Sequence, residues 1–348
     1  MSKNKRAFFW IFLILLGAVL FYVINIQSFL PNPIKNIVQN LDPVNQAIDE
    51  PFKELTIPYL REKTYDSKLG ALEQISQNSN YSSYLTSYKS DGLRINGLLT
   101  KPSGEEPKEG WPAIVFIHGY IPPTQYVTLE KYIDHIDFLA KSGFVVFKID
   151  LRGNGESEGE AGGAYYSSDY IIDVLNAVNA LENSNFVKKN SIGLWGHSMA
   201  GNIVLRSIAV NTNISAAVIW AGAVYSYEDF QKYGLNDNSY RPPSMSTSRN
   251  VRRQKLFAEH GEFSKDSDFW KKVVATNYLK DIKTSIQLHH CVDDNVVNIN
   301  YSRNLNNILN KTTILHELYE YGDGGHNITG TSFNSAMERT IDFFKKNL

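Results

Sequence analysis

The sequence predicts an α/β protein with a mostly parallel sheet that is covered by helices on both faces. From about residue 81 onward, apolar segments of strand length alternate with stretches of helical periodicity. Most of these strand segments are continuously apolar, which is typical of strands buried on both faces. Strand–helix alternation favours right-handed crossovers, which join parallel strands and place helices on both sides of the sheet.

Eight strands are expected. The first two lie within residues 84–102 and meet at Asp91-Gly92, a dipeptide that favours a tight hairpin turn. The remaining six are predicted at residues 113–119, 144–150, 191–196, 216–222, 286–291 and 313–321. Helical patterns separate them near residues 129–142, 168–183, 199–210, 301–310 and 332–346.

The N-terminal segment predicts a membrane anchor. Residues 7–26 read AFFWIFLILLGAVLFYVINI, and about 20 apolar residues are enough for a helix to cross a bilayer. Lys3, Lys5 and Arg6 precede this segment, which predicts a cytoplasmic N-terminus and an extracytoplasmic main domain. A cleaved signal peptide is the alternative, but its apolar region is normally shorter and a small-residue cleavage pattern follows it.

The sequence as a whole is expected to divide into three regions. Residues 1–30 form the basic tip and the anchor, and the proline-rich residues 31–80 are expected to form a stalk. The globular domain is predicted at residues 81–348. Within it, residues 224–284 are polar, aromatic and unusually long for a connection, which favours a lid-like insertion. A surface insertion without contact to substrate is the alternative.

Composition excludes some classes of function. The formal net charge is −1 and no long basic run occurs, so nucleic acid is not an expected partner. Cys291 is the single cysteine, so no intrachain disulfide can form and burial of the core must provide stability.

The segment Gly196-His197-Ser198-Met199-Ala200 fits the pattern G-x-S-x-[GA]. A predicted strand precedes it and a predicted helix follows it, as a nucleophile at a sharp strand-to-helix turn requires. Residues two before and two after the serine must be small, because strand and helix pass close together there. The N-terminus of the helix would also favour a developing oxyanion. The alternative is a small-residue turn that only packs a strand against its helix.

A serine nucleophile needs a histidine base and a carboxylate that orients it. In this kind of fold the chain order is serine, acid, histidine. Asp293 and Asp294 follow the strand at 286–291, and His326 follows the last strand in a glycine-rich loop. Both loops are expected at the carboxyl ends of their strands, where the serine also lies.

Residues 84–348 resemble the α/β-hydrolase superfamily, and most of all the catalytic domain of prolyl oligopeptidase-type serine hydrolases. The similar stretches are SDGLRINGLLTKP, PAIVFIHGY, DLRGNGESEG, GLWGHSMAGN, LHHCVDDNVVNINYS and YGDGGHNI. The resemblance implies a triad of Ser198, Asp293 and His326. Its acid pattern, H-G-x-x-D-x-x-V, selects Asp293 when it is laid on residues 289–296, with a departure at His290; Asp294 is the alternative.

The resemblance also implies an oxyanion hole. Its donors would be the amide of Met199 and either the amide or the hydroxyl of Tyr120. His197 is expected to pack within the serine turn, and His118 to orient the oxyanion loop.

These features together predict a membrane-anchored serine hydrolase that forms an acyl-enzyme and needs no cofactor. The resemblance implies a small peptide substrate. Full prolyl oligopeptidases carry a β-propeller before the hydrolase domain, and the stalk is too short to form one, so a carboxylesterase or thioesterase that takes acyl esters is the alternative. An inactive fold used for binding is a third hypothesis. A metal site is not expected, because consecutive strand residues such as His289 and His290 point to opposite faces.

Overall fold

The computed structural model describes residues 50–236 and 248–348, and a nine-stranded sheet organises this part of the chain. The strands, in chain order, are β1 (Glu73–Gln77), β2 (Tyr81–Ser90), β3 (Leu93–Pro102), β4 (Trp111–Ile117), β5 (Val145–Ile149), β6 (Val187–His197), β7 (Ala216–Trp220), β8 (Ser285–Cys291) and β9 (His316–Tyr321). Their spatial order is β1-β2-β3-β5-β4-β6-β7-β8-β9.

The sheet is mixed, with its parallel part at the centre and one end. β1, β2, β3 and β5 pair antiparallel in that order, whereas β5, β4, β6, β7, β8 and β9 pair parallel. The hairpin predicted at Asp91-Gly92 is present, with φ of 50° and 81° at these two residues. The prediction of eight strands missed β1, in which every residue is exposed and no apolar face marks a strand.

Helices cover both faces, as the alternation predicts. The α-helices of the described residues, in chain order, are α1 (Ile57–Glu62), α2 (Ile133–Lys141), α3 (Asp169–Glu182), α4 (Ala200–Val210), α5 (Tyr227–Tyr233), α6 (Ser248–His260), α7 (Asp268–Val273), α8 (Asn300–Leu309) and α9 (Thr331–Asn347). Buried residues of α3, α4 and α8 belong to one apolar core, and those of α2 and α9 belong to a second. Every residue of β5, β7 and β8 is buried, so the two cores lie on either side of a fully covered sheet.

The globular unit begins earlier than residue 81. It starts at Pro51, and Leu55, Ile57 and Leu60 are fully buried in the larger core. The Arg206 guanidinium of α4 also donates to the carbonyl oxygen of Leu55 at 2.6 Å. The prediction of a stalk over residues 31–80 is therefore wrong for residues 51–80, because a short apolar stripe at 51–62 packs against α4 and β1 pairs with β2.

The predicted insertion at 224–284 contains α5, α6, α7 and a 3₁₀ helix, Ala275–Asp281. Tyr227 and Trp270 are buried in the larger core. The Arg249 guanidinium of α6 forms an ion pair with the Asp169 carboxylate at 2.5 Å. These contacts join the described parts of the insertion to the body of the domain, and its action as a lid stays a prediction.

Within residues 50–236 and 248–348 no helix has both the length and the apolar character that a bilayer crossing needs. The anchor predicted at residues 7–26 lies outside the described residues.

Candidate active site

Ser198 lies at a sharp turn between strand and helix. β6 ends at His197 and α4 begins at Ala200, and Ser198 has a φ of 56°, a conformation that is uncommon for a residue with a side chain. Three backbone bonds hold it there. Its N–H donates to the carbonyl oxygen of Trp220 at 2.9 Å, and its own carbonyl accepts from Gly201 at 2.9 Å and Ala223 at 3.0 Å. Neighbouring elements thus stabilise the strained serine conformation.

The small residues around the serine are required by close packing, as the sequence pattern predicts. A Cβ atom on Gly196 would lie 2.7 Å from Cγ2 of Val204 and 3.0 Å from Cβ of Ala200. A Cβ atom on Gly201 would lie 2.7 Å from the Cα of Gly222. Strand β6, helix α4 and the segment after β7 therefore meet with no room for larger side chains.

His326 reaches the serine from the loop after β9. Its Nε2 lies 2.8 Å from Oγ of Ser198, and its Nδ1 lies 2.8 Å from Oδ2 of Asp294. Because the carboxylate can only accept, Nδ1 carries the proton and Nε2 is free to accept the serine hydroxyl proton. Three residues thus form a continuous Ser–His–Asp chain of hydrogen bonds.

The acid in this chain is Asp294, and the prediction of Asp293 is wrong. The Asp294 side chain is fully buried beneath the imidazole, whereas Asp293 is exposed. The carboxylate of Asp293 instead accepts the N–H of Gly325 at 2.9 Å, next to the base. The reason is a turn after β8, in which the Asp294 N–H donates to the carbonyl of Cys291 at 3.3 Å and brings Asp294 back against the end of the sheet.

Four donors surround the Asp294 carboxylate. Oδ1 accepts the amides of Val296 and Val297 at 2.8 and 2.9 Å, and Oδ2 accepts from His326 and from Nε2 of His290 at 3.1 Å. Burial alone would raise the pKa of Asp294, but the N–H groups of the two histidines outweigh it and hold the pKa well below its usual value. The carboxylate is therefore ionised at neutral pH.

His290 is a site residue that the sequence reasoning missed. Its Nδ1 lies 2.8 Å from Oγ of Ser302 on α8, and its Nε2 faces two acceptors, Asp294 and the carbonyl of Val297. Nε2 must therefore be protonated and donate to the acid. The signal available in the sequence was its spacing of four residues before Asp294.

Neither His289 nor Cys291 joins this group. His289 faces the opposite side of β8, where its ring nitrogens meet Oη of Tyr321 and Oε1 of Gln287. The thiol of Cys291 donates to the carbonyl of Asp323 at 3.1 Å, and burial raises its pKa to about 12. Among the described residues, no group of three His, Cys, Asp or Glu side chains is arranged to hold a metal ion.

The two expected oxyanion donors lie on the elements that the resemblance implies. Met199 is the N-cap residue of α4, directly after the serine. Tyr120 follows Gly119, at which an added Cβ would lie 3.2 Å from the carbonyl oxygen of His197. The loop after β4 thus approaches the serine turn closely, and the role of these two residues stays a prediction.

Comparisons with known proteins agree with this architecture. A family model described as serine aminopeptidase, S33, matches residues 111–250. A Bacillus subtilis (strain 168) protein named uncharacterized peptidase YtmA is 30% identical over 152 residues, which are 42% of this chain and 55% of that protein. The chain spans between about a fifth and just over half of the length of the curated relatives it matches.

Two solved structures share the fold. An acylaminoacyl peptidase in complex with a chloromethyl ketone superimposes with a TM-score of 0.60 at 20% identity, over 77% of this chain and 42% of that one. Acetyl xylan esterase 1 from Thermoanaerobacterium sp. JW/SL YS485 has a TM-score of 0.58 at 18% identity, over 83% of this chain and 90% of that one. With the sheet order, the serine turn and the hydrogen-bonded Ser–His–Asp chain, these likenesses show that the described part of this chain has the α/β-hydrolase fold.

Proposed function

We propose that this protein is a serine hydrolase in which Ser198 is the nucleophile, His326 the general base and acid, and Asp294 the orienting carboxylate. The observation that carries the proposal is the pair of 2.8 Å contacts that His326 makes, one to the serine hydroxyl and one to the buried carboxylate. Such a chain activates a hydroxyl that is otherwise a weak nucleophile.

The reaction follows from the proton positions. Nε2 of His326 takes the proton of the Ser198 hydroxyl as Oγ attacks the substrate carbonyl. In this proposal the amide of Met199 and either the amide or the hydroxyl of Tyr120 stabilise the oxyanion, a contribution of about 3 kcal/mol for each donor. The imidazolium then gives its proton to the leaving group, and an acyl-enzyme remains. Water, deprotonated by the same nitrogen, attacks the acyl carbonyl and releases the acid, which restores the serine.

A small peptide is the substrate class we propose first, through chemistry of the prolyl oligopeptidase type. The family description and YtmA both name peptidases, and an acylaminoacyl peptidase shares the fold. An esterase is the second candidate. The observation that favours it is the likeness to acetyl xylan esterase 1, which extends over 90% of that enzyme's length.

A fluorophosphonate probe, which captures activated serines, tests the reaction class. It should label the wild type and leave Ser198→Ala unlabelled, while Ser142→Ala, which removes a hydroxyl at the end of α2, should label normally. An unlabelled wild-type protein that is correctly folded would contradict the proposal and favour a binding role.

A substrate panel then separates the two candidates. Peptidyl anilides and acyl esters of several chain lengths should be compared with the same enzyme preparation. We expect turnover of both kinds, since the acyl-enzyme chemistry is common to them, with higher kcat/KM for the anilides. Turnover of esters alone would remove the peptidase assignment.

We also infer that residues 7–26 anchor the protein in a membrane, with the catalytic domain on the extracytoplasmic side. The support is the length of the apolar segment and the three basic residues before it. The full chain should stay in the membrane fraction after an alkaline wash, and a variant without residues 1–30 should not. A mature N-terminus after residue 26 would instead identify a cleaved signal peptide.

A further inference from the structure

Three hydrogen bonds connect the loops that carry the base, the nucleophile and the expected oxyanion donor. Nε2 of His197 lies 2.9 Å from the carbonyl oxygen of His326. Nδ1 of the same ring lies 2.8 Å from Oη of Tyr132, and that oxygen lies 3.0 Å from the amide nitrogen of Gly119. The base loop is thereby joined to the loop after β4 through the residue that precedes Ser198.

The direction of each of these three hydrogen bonds is fixed, because each proton has one possible position. A backbone carbonyl only accepts, so Nε2 of His197 carries the proton that points to His326. Burial, together with the nearby His326 ring, lowers the pKa of His197 well below its usual value, so the ring is neutral and Nδ1 is bare. The Tyr132 hydroxyl therefore donates to Nδ1, and its oxygen accepts the N–H of Gly119.

The surrounding packing leaves these groups little freedom. The Tyr132 ring contacts Phe116 and Trp195 edge-to-face, at centroid distances of 5.4 and 6.0 Å. A Cβ atom on Gly119 would lie 3.0 Å from both Nδ1 of His197 and the Tyr132 hydroxyl, so a glycine is needed for the approach. The hydrogen bonds thus connect groups that are already held in register by packing.

We propose that His197 and Tyr132 are positioning residues for the hydrolase reaction. They fix the backbone at His326 and at Gly119, and so hold the base and the neighbouring Tyr120 amide in a single geometry about Ser198. This proposal rests on the proposed function. The proposal gives neither side chain a contact with the substrate, since a displacement of about 1 Å in a catalytic group is enough to lower a rate by about 100-fold.

Tyr132→Phe is the direct test, because it keeps the ring and removes only the hydroxyl. With a substrate that the wild type turns over, kcat should fall between about 10-fold and 100-fold while KM changes little. Affinity for a trifluoromethyl ketone, which mimics the oxyanion, should fall in parallel. The matched control is Tyr81→Phe, which removes a hydroxyl bond to Asp137 of α2, the helix that begins directly after Tyr132, and should leave kcat unchanged.

A double-mutant cycle separates positioning from general damage. His197→Ala breaks the chain at its centre, so adding Tyr132→Phe to it should cost much less than it costs in the wild type. His197→Asn keeps a side-chain acceptor for Tyr132, and His197→Gln keeps an N–H for the His326 carbonyl. Each retains one bond and should therefore retain more kcat than His197→Ala.

Several results would overturn the proposal. One is a folded Tyr132→Phe variant with wild-type kcat, and another is an effect of this substitution on KM alone. A third is a double mutant in which the effects of His197→Ala and Tyr132→Phe on kcat simply multiply. If Tyr132→Phe does not fold, the test uses His197→Asn and His197→Gln, each of which removes one of the two hydrogen bonds. Wild-type kcat in both folded variants would also overturn the proposal. In each of these cases a wild type that is active and labelled by the fluorophosphonate probe leaves the proposed serine hydrolase function intact. An unlabelled wild type would overturn both the proposed function and the positioning role.

Discussion

Replacing Asp294 by asparagine should abolish most of the activity, because every donor around this side chain requires an oxygen. Oδ2 accepts from His326 at 2.8 Å and from His290 at 3.1 Å, and Oδ1 accepts from the amides of Val296 and Val297 at 2.8 and 2.9 Å. An asparagine has one oxygen and one NH₂ group in the same space. Whichever way the amide is turned, its NH₂ group faces two N–H donors, either those of the two histidines or those of the two valine amides, and neither pair then has an acceptor.

The loss of kcat expected for Asp294→Asn depends on which nitrogen of the His326 imidazole carries the proton. If the NH₂ group faces His326, it can donate only to a bare Nδ1, which forces the proton onto Nε2. Nε2 then cannot accept the proton of Ser198, and the general base is lost. Loss of the orienting carboxylate in a triad of this kind lowers kcat by about 10⁴-fold. If the amide turns the other way, the two valine amides lose their acceptor, and the turn that positions residue 294 is destabilised.

Asp293→Asn is the matched control, since it makes the same chemical change one residue away. Asp293 accepts a single N–H, that of Gly325, and an asparagine oxygen can accept it equally well. We expect kcat within a few-fold of the wild type. Both variants and the wild type should be assayed for kcat on one substrate, with thermal unfolding to verify folding. Severe loss in Asp293→Asn with near-normal Asp294→Asn would refute the assignment of the acid.

Three further predictions follow from the same structure. His290→Ala removes one donor from the acid and should lower kcat about tenfold with little change in KM, so an unchanged kcat would show that His290 only packs. Gly196→Ala places a methyl group 2.7 Å from Cγ2 of Val204 and should lower the free energy of unfolding by about 1–3 kcal/mol, measured by urea denaturation. Burial lowers the pKa of His118 to about 4 and that of His289 to about 3, from 6.5, so below pH 6.5 these two side chains bind protons in the unfolded chain but not in the folded chain. Their joint contribution to the free energy of unfolding should be full above pH 6.5 and fall by about 2–3 kcal/mol per pH unit near pH 5. Urea denaturation at several pH values should therefore show a steeper loss for the wild type than for His118→Gln/His289→Gln, and parallel profiles would contradict this.

The fold was predictable because its main signals are local. A strand covered on both faces must be apolar throughout, and β5, β7 and β8 are buried at every position. The hairpin at Asp91-Gly92 depends on two residues that adopt positive φ readily. The serine turn combines both kinds of signal, since an apolar strand, small residues and an apolar helix follow one another in a short stretch of sequence.

Elements that depend on distant partners were not predictable in this way. β1 is a fully exposed edge strand, and only its pairing with β2 makes it a strand. The segment at 51–62 has three buried apolar residues, Leu55, Ile57 and Leu60, which is too short a pattern to distinguish a packed turn from a stalk. Its burial depends on α4, which lies far along the chain.

The identity of the acid depends on a register that the sequence leaves open. The spacing of histidine, aspartate and valine in the family pattern fits His289, Asp293 and Val296, but it fits His290, Asp294 and Val297 as well. The choice is made by β8, whose last residue, Cys291, pairs with Tyr321 of β9.

The alternation of side chains along β8 then determines both His290 and Asp294 as residues of the site. Because β8 directs His289 toward Tyr321, it directs His290 to the opposite face, toward Ser302 of α8. The turn closed on Cys291 returns the chain to that same face, so the aspartate four residues after His290 is the one that reaches His326. A one-residue change in the phase of β8 would exchange both histidines and both aspartates, so His290 and Asp294 have to be assigned to the site together.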